Sequence, residues 1–209
     1  GEETLEAFTL KIQKERTINS TRGKIFDRNG VLLAYNELAY NVTIEDIYES
    51  GSDKNRNINE TLLKVIAIIE KNNDKIINDF NIILDEDGEF AFTVEGTQLK
   101  RFLADIYGRS KISQLKYEEE TATPDMVMEY LCGYGKYGIG YSPDPKNPRD
   151  SFIVFEGYTK EEQLKLVTIR YAMGLNSYQK YIPTVIATDV NEKTVASIME
   201  NSTEFLGVT

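Results

Sequence analysis

Few side chains in this 209-residue sequence stand at the spacings that chemistry requires. The densest group is Arg22-Gly23 with Asp27-Arg28-Asn29-Gly30, where two arginines, a carboxylate and two glycines fall close together. Such a cluster could hold an anionic substrate, or it could be ion-pair and turn chemistry in a structural segment. Two S-x-x-K matches, Ser113…Lys116 and Ser177…Lys180, have the spacing at which a lysine amine activates a serine one helical turn away. No S-x-N and no K-T-G or K-S-G accompanies them, so both are read as chance. Gly133-Tyr134-Gly135-Lys136-Tyr137-Gly138 fits G-x-G-x-x-G, a pattern that cradles phosphates only between a strand and a helix. Here it follows a helical stretch and runs toward Pro143, Pro145 and Pro148, so it reads as a loop. Asp85–Gly88 has the start of a calcium loop, but Gly96 stands where the bidentate carboxylate belongs. Glu118-Glu119-Glu120 reads as a solvated face.

Composition removes whole reaction classes. With no histidine, a Ser-His-Asp relay, a Cys-His pair and every histidine zinc site are excluded. The single cysteine, Cys132, can form neither an internal disulfide nor a C-x-x-C site, and reads as core. A net charge of −10 repels phosphate backbones, so nucleic acid is a poor partner. At 41% hydrophobic and 11% aromatic residues the chain can build a core. No run approaches the ~20 apolar residues of a membrane span. The opening GEETLEAF lacks an initiator Met and looks like the edge of a longer protein.

The elements that must position these residues are legible in outline. Leu5, Phe8 and Ile12 predict a short amphipathic helix. Ile25–Asp27 and Val31–Leu33 flank Asn29-Gly30, the strongest tight-hairpin signal because both residues tolerate positive φ. Alternation predicts a strand over 39–46; a polar loop follows over 49–59, with Asn59 capping a helix to about Lys71. Strands at 82–84 and 90–94 enclose the acidic turn, and a helix through Leu99 and Ile106 closes at Gly108. Thr123-Pro124 opens a helix, and Thr159–Glu162 is a capping box for another. A strand over Tyr181–Thr188, in which Pro183 argues for an edge or a bulge, and a helix from Asn191 complete an α+β pattern.

RGKIFDRNGVLLA (22–34) resembles the first motif of the N-terminal domain of class B penicillin-binding proteins, R-G-x-I-x-D-R-N-G-x-x-L-A. Arg22, Gly23, Ile25, Asp27, Arg28, Asn29, Gly30, Leu33 and Ala34 fill every fixed position. YGIGYS (137–142) is similar to that domain's Tyr-Gly-Ile segment. Residues 168–201 resemble its run of helix, Arg-Tyr pair, Tyr/Pro-containing strand and helix, and EFLGVT (204–209) resembles the Gly-Val step that follows. Residues 140–158 look like an insertion. The later pedestal motifs and the transpeptidase are not in this sequence.

The resemblance implies a single non-catalytic pedestal, or dimerisation, domain over 1–209. Its parts would be an N-terminal helix and hairpin base (1–48), an inserted α/β head (49–190) and a return helix (191–209). It implies scaffolding of a D,D-transpeptidase that crosslinks peptidoglycan, on the outer face of the membrane, behind an N-terminal anchor. Expected partners are the protein's own transpeptidase domain, a SEDS-type glycan polymerase or other cell-wall synthesis proteins, and a second copy. No cofactor, metal or catalytic residue is implied. Arg22, Gly23, Asp27, Arg28, Asn29 and Gly30 then become a structural motif, with Asp27 expected to pair with Arg22 or Arg28. Two rivals stay open: an extracellular binding module whose loop 133–142 presents Tyr134, Tyr137 and Tyr141 as a glycan-contacting or partner surface, and a carboxylate-based hydrolase.

Overall fold

The computed structural model describes residues 25–34, 39–175 and 182–209. The helix expected around Leu5–Ile12 and the pair Ser177/Lys180 lie outside the described residues, as does Arg22. The chain divides into two compact units, residues 1–38 and 39–209.

In the first unit β1 (Ile25–Phe26) and β2 (Leu32–Ala34) form an antiparallel hairpin. The second unit runs β3 (Tyr40–Ile44), α1 (Lys54–Lys71), β4 (Ile82–Leu84), β5 (Phe90–Phe92), α2 (Gly96–Ile106), α3 (Tyr117–Glu120), α4 (Pro124–Cys132), β6 (Gly140–Tyr141), β7 (Ile153–Val154), α5 (Lys160–Leu175), β8 (Thr184–Val190) and α6 (Glu192–Glu200). It is an α+β mixture of helices and short antiparallel strand pairs. Among the described residues no helix is long and apolar enough to cross a membrane.

β3 is hydrogen-bonded along both of its edges. On one side it pairs with β8, Tyr40 opposite Val190 and Ile44 opposite Thr184, with two register shifts between. On the other side the C-terminal segment adds to it. Thr43 N donates to Thr209 O at 2.7 Å, Thr209 N returns a bond to Thr43 O at 2.9 Å, and Glu45 N donates to Gly207 O at 2.8 Å. The sequence reading places 39–48 with the N-terminal base; the contact boundary falls instead between Leu38 and Ala39, because both partners of β3 belong to the second unit. Pro183 precedes β8, so its missing N–H costs the ladder nothing.

The core follows from helical and strand periodicity. Leu62, Val65, Ile66 and Ile69 of α1 are buried against Val42, Ile44 and Ile186 of the sheet and Leu166 and Ile169 of α5, in one continuous cluster. Phe80, Phe102 and Tyr171 add an aromatic knot, with ring centroids 5.3–6.2 Å apart. The expected caps form: Thr123 accepts from Met126 N, Thr159 and Glu162 bond reciprocally, and Asn191 accepts from Lys193 N and Thr194 N.

α1 begins six residues earlier than the sequence reading puts it, its cap at Asp53 and not Asn59. The polar run at 54–59 is its first turn and a half, and Asn59 is not a cap but a fully buried residue inside the helix. Asn55 and Asn59 lie four apart, in line with Leu62 and Ile66, so two amides extend the apolar stripe.

Glu118–Glu120 also differs from a simple solvated face. Glu119 accepts from Arg109 Nε at 3.0 Å and from Lys116 N at 3.0 Å, and Glu120 pairs with Lys100 at 2.5 Å. The Arg109 guanidinium, helped by the Lys116 amide, pulls the Glu119 carboxyl down to about 2. Because the folded value lies below the ordinary one, the pair's stabilisation is complete above about pH 4.5 and disappears as pH falls toward 2. Thermal unfolding curves of the wild type and Glu119→Gln should therefore converge across that interval and stay separated above it. Curves separated equally at pH 2.5 and pH 7 would count against it.

Candidate functional site

The first candidate is the turn of the β1–β2 hairpin. Asp27 N donates to Val31 O at 2.8 Å and Gly30 N donates to Asp27 O at 3.0 Å. The Asp27 carboxylate accepts from both Asn29 N and Val31 N, each at 2.8 Å. Gly30 has φ of +80° while Asn29 does not enter the left-handed region. The loop is thus three residues, a turn closed by one left-handed glycine, rather than a two-residue Asn-Gly turn. Asp27 selects it by satisfying two amides that a shorter turn would arrange otherwise.

The expected ion pair with Arg28 is not formed. Arg28 and Asn29 are exposed, and among the described residues Arg28 has no ion-pair partner. The acidic turn between β4 and β5 repeats the same solution: Asp85 accepts from Asp87 N and Glu89 N, and Gly88 has φ of +76°. That parallel explains the Asp and Gly of both segments through backbone geometry, not catalysis. Asp27→Asn keeps the accepting oxygen and should preserve slow hydrogen exchange at the Asn29 and Val31 amides, whereas Asp27→Ala should lose it, a local cost of about 1 kcal/mol. An equal loss in both variants would restore the ion-pair explanation.

The second candidate is a buried polar node that sequence reasoning did not single out. Arg170 of α5 is only 8% exposed. Its guanidinium donates to Asn59 Oδ1 at 2.8 Å and Asn55 Oδ1 at 2.6 Å. The two amides turn their nitrogens the other way: Asn59 Nδ2 donates to Tyr137 O at 2.9 Å, and Asn55 Nδ2 to Lys136 O at 2.9 Å. The Tyr137 ring lies 5.2 Å from the guanidinium carbon and covers it. Burial pushes the Tyr137 hydroxyl up to about 12, so the phenol stays neutral. Burial also lowers the Arg170 pKa, partly offset by Tyr137, Asp46 and Tyr48; an arginine keeps its charge regardless. One cation therefore ties α1, α5 and the 136–138 loop together. The neighbouring Tyr171, turned about 100° around the helix, enters the Phe80–Phe102 knot instead. A signal was present: the Asn55/Asn59 spacing of four, opposite an arginine in an otherwise apolar helix segment.

The structure divides the three tyrosines of the loop. Tyr137 faces inward onto Arg170, Tyr134 is half-buried edge-on to Phe152 at 5.5 Å, and Tyr141 is exposed. Tyr137 is thereby set apart, while Tyr134 and Tyr141 line the same cleft. The remaining motifs dissolve into local structure. The N–H groups of Lys136, Tyr137, Gly138 and Ile139, which a phosphate would need, donate to carbonyls at the end of α4. Ser113 lies in a 3-10 turn and Lys116 immediately before α3, so no helix aligns them. Cys132 is buried, and burial raises its thiol to about 12, leaving it inert at neutral pH. Among the described residues no acidic, cysteine or histidine cluster could hold a metal.

A turn locked by Asp27 and a buried Arg170 node therefore lie in the segments that carry the resemblance. Residues 17–209 match the family described as Penicillin-binding Protein dimerisation domain, and the chain belongs to that family. This is the non-catalytic N-terminal region of penicillin-binding proteins. No curated protein matches the chain.

Proposed function

We propose that this domain is the pedestal of a class B penicillin-binding protein, positioning a D,D-transpeptidase that crosslinks peptidoglycan. In this reading the parent protein is anchored by one membrane helix, the domain stands on the extracellular face, and it contacts a SEDS-type glycan polymerase or other cell-wall synthesis proteins, or a second copy of itself. The observation that carries the reading is the use made of the family's signature segments. Asp27, Gly30, Arg170 and Tyr137 all engage the chain's own backbone and side chains, as a rigid support requires. The purified chain should take up no fluorescent penicillin, and the full parent should lose co-purification with its glycan polymerase when this domain is replaced by an unrelated one of similar size. Covalent labelling of the chain, or co-purification that survives the replacement, would sink the proposal.

A further inference from the structure

The segment 140–158 does more than extend the fold. Together with the start of α1 it encloses a cleft of about 470 Å³, within the range of small-ligand sites. One wall carries Tyr134, Tyr141, Phe152, Pro145 and Pro148; the other carries Ser52, Asp53 and Arg56.

The aromatic wall is held before any ligand arrives. Tyr134 and Phe152 fix each other edge to face, and β6 pairs with β7 through Gly140 opposite Val154. A Cβ on Gly140 would stand 2.3 Å from Ile153 O and 2.7 Å from the Phe152 ring, so only glycine lets that ring sit where it does. The Pro-rich segment bonds to itself: Ser142 Oγ donates to Pro148 O, Lys146 N and Asn147 Nδ2 donate to the Asp144 carboxylate, and Ser151 Oγ donates to Asn147 O. A ligand would meet a wall that has little ordering left to lose.

The chemistry of the lining selects the class of ligand. Asp53 and Arg56 neutralise each other at 2.9 Å, so the cleft offers no net charge to an ion, and the chain's −10 repels anions further. Among the described residues the hydroxyls of Ser52, Tyr134 and Tyr141 carry no hydrogen bond within the protein. Flat rings with free hydroxyls at their edges suit a molecule that is apolar on its faces and hydroxylated at its rim. That is the chemistry of a pyranose. We propose that this cleft binds an uncharged oligosaccharide, one sugar ring packing its C–H face on Tyr141 and its rim hydroxyls reaching Ser52 and Tyr134. This goes beyond the support role and is independent of it.

The test titrates the isotope-labelled chain with chitotetraose, with cellotetraose, and with a proline-rich decapeptide, following backbone amide shifts. The expected result is saturable shifts over 51–56 and 140–153 with either sugar, with Kd on the order of 1 mM. Tyr141→Ala should weaken binding at least tenfold with unchanged thermal stability, since Tyr141 is already 57% exposed. Tyr134→Phe, which keeps the ring and its contact with Phe152, should weaken it severalfold. No shifts up to about 10 mM sugar, shifts located elsewhere, binding indifferent to both substitutions, or saturation by the peptide alone would each overturn the assignment. None of these outcomes touches the polymerase co-purification that tests the support role.

Discussion

Arg170→Ala is expected to cost about 3 kcal/mol of unfolding free energy, because it orphans two amide oxygens at roughly 1–3 kcal/mol each. Asn59 is fully buried, so its Oδ1 finds no water when the guanidinium leaves. The loss does not stop there. The Tyr137 ring, whose face covers Arg170, would border a void the size of a guanidinium. Asn55 and Asn59 would also be free to turn away from the 136–138 carbonyls they now hold. Arg170→Lys should recover little of this, since a single ammonium cannot reach two divergent amide oxygens as the planar fork does. Asn59→Ala should cost a similar amount from the opposite side, leaving a buried cation short of a partner. The double variant should then be less damaging than the sum by about 1–3 kcal/mol, as residues of one network require. With no tryptophan in the chain, urea unfolding followed by circular dichroism is the natural measurement. A loss below about 0.5 kcal/mol for Arg170→Ala, the scatter of ordinary surface changes, would show the node to be incidental.

This node also marks where the sequence stops being legible. Periodic apolar residues announced α2, α4, α5 and α6, and the caps at Thr123, Thr159 and Asn191 are local chemistry that needs no tertiary partner. The start of α1 was hidden because Asn55, Asn57 and Asn59 read as loop and cap residues. In the fold Arg170, 111 residues away from Asn59, supplies the partner for the Asn55 and Asn59 amides that the sequence could not show. The Asp27 hairpin was visible for the right residues and the wrong reason: Asn29-Gly30 signals a turn, but the Asp27 carboxylate decides which one. The tyrosines show the same limit. Tyr134, Tyr137 and Tyr141 are alike in sequence, and only the positions of Phe152 and Arg170 separate an inward ring from an exposed one. Signals within about four residues could be read; partners supplied from across the fold could not.

The C-terminal segment bonded to β3 is the extreme case, and Gly207→Ala tests it. Gly207 has φ of +81°, and a Cβ there would stand 2.4 Å from Glu45 O, a backbone atom that cannot swing aside. The left-handed conformation alone costs a side chain roughly 1–2 kcal/mol. Gly30 and Gly88 carry nearly the same φ, +80° and +76°, with open space where a Cβ would go. Alanine at either should therefore cost that conformational term and nothing more. At 207 the clash must be relieved by moving the strand off β3, which breaks Glu45 N to Gly207 O and strains the paired bonds between Thr43 and Thr209. It also loosens Phe205 and Val208, whose side chains are buried in the core. The total should reach about 3 kcal/mol, conformational term included, with faster hydrogen exchange at the Glu45 and Thr209 amides. The excess of Gly207→Ala over Gly88→Ala isolates the close approach from the backbone preference. If the two substitutions cost the same, the close approach of the terminal segment to β3 does not hold the sheet.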